Sequence, residues 1–136
     1  MNLIGLWSSD IFYYDNFEDT IIGFTEEGTG FIAYMRPLYY DIILFKWFLN
    51  EDKLITLKGY KNIISCDDEL EESEDIDISF ENLSIKESTD NNPYGSKIDT
   101  IEFSHSIMGD LSKFGLLDKD ILSHPIYKDV IHLSTL

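Results

Sequence analysis

The chain has 136 residues, with 26 acidic side chains against 10 basic ones and a formal net charge of -16. That length supports one domain spanning residues 1–136 and leaves no room for a two-domain enzyme with its site in a cleft. Hydrophobic residues make up 43% and aromatic residues 14%, enough to build a core and to exclude disorder as the main state. The charge sets aside ordinary binding to nucleic acid or to an anionic membrane surface, since both rely on Lys and Arg.

Period-two segments bounded by turn residues dominate the first 105 positions, the pattern of many short antiparallel strands. Thr20 to Thr25 reads as a strand, Glu26 to Gly30 as a turn, and Phe31 to Arg36 as the returning strand of a hairpin. Pro37 interrupts the ladder because it lacks an N–H. Leu38 to Leu49 is the longest apolar run, Asn50-Glu51-Asp52 is the next turn, and Leu54 to Tyr60 is another strand. In the long run Ile43, Phe45, Trp47 and Leu49 point one way while Ile42, Leu44 and Phe48 point the other. A sheet apolar on both faces is explained by closure into a barrel, or by a helix or partner covering one side.

Asp67, Asp68, Glu69, Glu71, Glu72, Glu74, Asp75 and Asp77 crowd the next stretch. The charge is lopsided: 5 basic and 9 acidic residues precede Cys66, against 5 and 17 after it. Ile76, Ile78, Phe80, Leu83 and Ile85 continue as strand into a loop over 88–95, and Ile98, Ile101 and Phe103 mark a further strand. Leu111, Phe114 and Leu117 stand at helical spacing, but Gly109 and Gly115 limit the expectation to a short helix near 110–122. Pro125 breaks the chain, and Val130 to Leu133 reads as a closing strand.

Cys66 has no partner for an internal disulfide, and Met1-Asn2-Leu3-Ile4 opens neither a basic nor a long apolar leader. Both point to a cytoplasmic protein. No uninterrupted apolar stretch approaches the roughly 20 residues that span a bilayer.

Gly5-Leu6-Trp7, the segment Gly23 to Gly30, and Phe45-Lys46-Trp47 followed by Leu54-Ile55-Thr56-Leu57 together resemble bacterial lipocalin-like proteins of the calycin type. The resemblance is confined to the N-terminal half. It implies an all-β, antiparallel up-and-down barrel of about eight strands, with Trp7 packed across the base and a small hydrophobic ligand carried inside, near Trp7, Phe24, Phe45 and Trp47. Fold resemblance does not transfer function, which has to be argued from a site.

The inventory for catalysis is thin. His105, His124 and His132 have no metal-ligand spacing. Ser104-His105-Ser106 places hydroxyls beside an imidazole, yet neighbours on a strand point to opposite faces. Cys66 has acids beside it, which disfavour a thiolate, and reads as a small buried hydrophobe. Asp67 to Asp77 lacks the glycine and the ligand order of a Ca²⁺ loop. The expectation is therefore no enzymatic activity, no metal and no cofactor. The acidic run is read either as a solvated loop or as an electronegative surface for a basic protein. Tyr34, Tyr39, Tyr40 and Phe12-Tyr13-Tyr14 are read either as core and rim or, interleaved with acids such as Asp41, as interface anchors. The leading expectation is an immunity or antitoxin-type inhibitor of a basic toxin such as a nuclease, with the acids and Tyr39 and Tyr40 meeting the partner.

Overall fold

Alternation of period two carries the chain through ten strands among the described residues: β1 (Gly5–Ser8), β2 (Asp19–Phe24), β3 (Thr29–Arg36), β4 (Tyr39–Leu49), β5 (Ile55–Cys66), β6 (Glu69–Ser73), β7 (Ser79–Leu83), β8 (Ile85–Asn91), β9 (Lys97–Phe103) and β10 (Lys113–Asp118). One helix, α1 (Pro125–Ser134), follows them. The computed structural model describes residues 2–9, 18–67, 69–74, 76, 78–107 and 111–135. Phe12, Tyr13, Tyr14, Asp68, Asp75 and Asp77 lie outside the described residues.

All pairings are antiparallel, in the spatial order β6-β5-β4-β3-β2-β1-β10-β9-β8, with β7 also bonded to β5. Ser84 alone separates β7 from β8. One run of chain thus bonds to β5 through its first half and to β9 through its second. The arrangement is barrel-like and up-and-down, but no continuous ladder closes it. At the join Ser104 N donates to Ser84 O at 2.9 Å, and Ser84 N donates to Ser104 Oγ at 3.1 Å.

Both faces of the sheet are apolar because each has a cover. Trp7, Ile22, Phe24, Ile32, Phe45, Leu57, Phe103 and Phe114 pack together on the inner face. Leu6, Ile21, Phe31, Ile42, Leu44 and Ile63 pack on the outer face beneath Ile121 and Val130. The opposed apolar sets along β4 have the origin that their alternation suggests: Phe45 and Trp47 face inward, while Ile42 and Leu44 lie under the helix. Gly30 permits the closest approach, since a Cβ there would stand 2.3 Å from Gly23 O and 2.5 Å from the Phe45 ring.

Three expectations are corrected. The short helix near 110–122 is replaced by strand β10, where Phe114 points into the inner core and Gly115 lies opposite Ser8 and Thr100. The expected closing strand over Val130 to Leu133 is helical. Pro125 occupies the first turn, where its missing N–H costs nothing, and His124 Nδ1 caps the helix by accepting from Ile126 N at 3.1 Å. Ile126, Val130 and Leu133 then recur on one face against the outer core. Third, the acidic run is no loop over Glu69–Ser73, because those residues pair with β5. No helix among the described residues is long and apolar enough to cross a membrane.

Candidate functional site: an acidic face at the hairpin end of the sheet

Strand pairing decides which of the acids act together. Tyr39, Cys66 and Glu69 stand opposite one another across β4, β5 and β6, and Asp41, Ile64 and Glu71 form the next row. Directly paired residues project to the same side of a sheet. Tyr39, Asp41, Glu69 and Glu71 therefore share one face. Tyr34 and Arg36 join it through their pairing with Asp41 and Tyr39.

This face has internal order. The Arg36 guanidinium lies 4.5 Å from the Tyr39 ring centre, and Tyr34 meets Tyr39 edge-on at 6.1 Å. Asn62 Nδ2 donates to Asp41 Oδ1 at 2.8 Å and to Ile42 O at 2.9 Å, which fixes the Asp41 carboxylate. Burial lifts the Tyr34 phenol above its ordinary range, the Glu18 carboxylate pushes it the same way, and Arg36 opposes both. Tyr34 thus remains a neutral aromatic surface beside a row of carboxylates.

Glu72 falls on the opposite face, opposite Ile63, with Leu70 opposite Ser65. Its carboxylate lies 3.2 Å from Lys61 Nζ, which also donates to Ser134 O at the end of α1 at 3.1 Å. Glu72 is a brace for the helix, and Leu70 packs into the outer core. Tyr40 likewise packs against the outer core with Met35. The proposed partner set therefore divides: Tyr39, Glu69 and Glu71 are presented together, Asp67 and Glu74 are exposed at the two ends of β6, and Tyr40 and Glu72 serve the fold. Asp41 belongs to the same face, as its interleaving with the tyrosines suggests; Arg36 and Asn62 belong to it as well and were not anticipated. The spacing of Tyr39 and Asp41, two apart on a strand, was the available signal.

The four residues named for an internal ligand site divide as well. Phe24 and Phe45 are fully buried and meet edge-on at 5.7 Å, and Phe24 meets Trp47 at 5.6 Å. Trp47 Nε1 is engaged by Thr29 O at 3.0 Å. These three pack against one another. Trp7 alone of the four borders a cavity of about 400 Å³, at the end of the strands away from Tyr39 and Glu69.

Cys66 is exposed, contrary to the buried reading, because it closes β5 at the turn into β6. Ser104 Oγ and His105 Nδ1 do touch, at 3.1 Å, because they sit at the bend after β9 and not within a strand. That hydroxyl is already the acceptor for Ser84 N at the β7–β8 join, a role in the fold. Among the described residues no group of three or more His, Cys, Asp or Glu is placed to hold a metal ion. No family model matches the chain, and neither a curated protein nor a solved structure matches it.

Proposed function

We propose that the chain is a non-catalytic binding protein that neutralises a basic protein, in the manner of an immunity or antitoxin-type inhibitor acting in the cytoplasm. The observation that carries this reading is the presentation of Glu69 and Glu71 beside Tyr39 and Asp41 on one face of an ordered strand pair. Carboxylates held on a strand recur about every 7 Å along one side, a fixed array for Lys and Arg side chains. Among the described residues Arg36 is the cation on that face, and it is stacked on Tyr39. A field of net charge -16 speeds encounter with a cationic partner and rejects acidic ones.

The barrel-like up-and-down order supports the lipocalin-like resemblance. The second reading, a carrier of a small hydrophobic ligand, is weakened by the packing of Phe24, Phe45 and Trp47 into one another. Native mass spectrometry of the protein isolated from its own cells separates the two. A basic polypeptide retained at low salt and lost after a high-salt wash supports the inhibitor. A bound mass of a few hundred daltons that ignores salt would replace it with the carrier.

A further inference from the structure

The β8–β9 hairpin carries polar residues where its alternation calls for core. Ile85 pairs with Phe103, Glu87 with Ile101 and Thr89 with Asp99, so all six side chains share one face. At one end of that face Phe103 and Ile101 are buried in the inner core. At the other end Glu87 and Asp99 reach the wall of the 400 Å³ cavity, with Trp7, Ile101 and Leu116 as its apolar side. A one-residue slip would turn every one of these side chains to the other face, so the placement of two solvent-exposed acids on the core-facing side of the hairpin is set by the same register that buries Phe103.

Among the described residues neither acid is committed elsewhere. Among the described residues Glu87 and Asp99 make no ion pair, the two present being Lys61–Glu72 and Lys113–Asp90. Lys119 lines the same cavity. The charged lining is two carboxylates against one ammonium, an excess of one negative charge. The Trp7 indole N–H is occupied, donating to Leu3 O at 2.9 Å, which leaves the ring to offer only its apolar and π surface. The volume falls within the range of about 300–1,000 Å³ usual for small-ligand sites.

We propose that this cavity binds a small organic monocation: an amine or ammonium head at Glu87 and Asp99, and an apolar body against Trp7, Ile101 and Leu116. A cation beside an indole gains from the ring quadrupole as well as from the carboxylates. The net charge of the protein raises the local concentration of any such ligand. The site lies at the opposite end of the strands from Glu69 and Glu71 and does not depend on the inhibitor reading.

The test is calorimetric titration at low ionic strength with 2-phenylethylamine, the neutral 2-phenylethanol and the anionic 3-phenylpropionate, with amide NMR shifts to locate binding. The amine should saturate a single site, shift residues 87–89 and 99–101, and bind about five- to tenfold more tightly than the alcohol, as two partly screened charge contacts allow. Glu87→Gln with Asp99→Asn, both at exposed positions, should abolish that preference, whereas Glu69→Gln with Glu71→Gln should leave it intact. Equal affinity for amine and alcohol, a preference that survives the 87/99 variant, shifts centred on β6, or no saturable binding of the amine would each overturn the proposal.

Discussion

Replacing Phe45 by alanine asks whether the strand interior is a packed core or a vessel. Phe45 is 1% exposed, meets Phe24 edge-on at 5.7 Å, and lies against Gly30 so closely that a Cβ there would be 2.5 Å from its ring. Its surroundings are backbone and other large side chains, which collapse poorly into a vacated space. Truncation should therefore cost about 3–5 kcal/mol from lost transfer energy and the void together. The Phe24 contact accounts for about 0.5–1.5 kcal/mol of that. Against a total stability of about 5–15 kcal/mol, the variant should remain folded or lie close to its midpoint. With a slope of roughly 2–6 kcal/mol/M in guanidinium chloride, the unfolding midpoint should fall by about 1 M. Far-ultraviolet circular dichroism and tryptophan fluorescence provide two independent readouts. A loss below about 1 kcal/mol, outside the range of a filled core site, would mean that the ring borders open space. The interior would then be a ligand chamber and not a packed core.

Gly30→Ala should also destabilise, by about 1–3 kcal/mol or more, since the added methyl meets Gly23 O at 2.3 Å. Phe45→Ala should not rescue it, because that obstacle is backbone; restored stability in the double variant would show that the ring alone was limiting. Lys61→Met removes both the Glu72 ion pair and the bond to Ser134 O, so hydrogen exchange in α1 should accelerate, with a loss of about 1 kcal/mol. Unchanged exchange would remove Lys61 as the brace. The Lys113 ammonium, 2.9 Å from Asp90, holds that carboxyl below its usual range. The linked stability is present above the ordinary carboxylate pKa and is lost as pH falls through the lowered value. Lys113→Met should raise the Asp90 midpoint in an NMR titration, and an unmoved midpoint would refute the assignment.

The parts of the fold that were legible in the sequence are those where local pattern and tertiary packing agree. The β2–β3 hairpin follows from alternation around Glu26 to Gly30, and the two apolar sides of β4 announce two covers. The parts misread are those where one residue type serves two roles. Pro125 stops a strand and also starts a helix, and only the recurrence of Ile126, Val130 and Leu133 distinguishes the cases. The acids of β6 have low strand propensity. Pairing with β5 and the packing of Leu70 override that preference, and both are tertiary. The composition of the acidic face was visible, but its division was not: which of Glu71 and Glu72 shares the side of Tyr39 and Asp41 depends on register against β5. The cavity at Glu87 and Asp99 is assembled from β1, β8, β9, the end of β10 and the segment before Gly5. No single stretch of sequence contains it.

The face proposed to bind a partner joins Tyr39 and Asp41 to Glu69 and Glu71. Its most direct test is the rate of association with a basic polypeptide recovered in the low-salt isolation, followed by stopped flow across ionic strength. The wild type should be compared with a variant carrying Asp67→Asn, Glu69→Gln, Glu71→Gln and Glu74→Gln. The wild type should associate fast, at a rate that falls steeply with salt, and the variant should show a slower, flatter dependence with far-ultraviolet dichroism unchanged. The same salt slope in both proteins would rule out partner binding through this face.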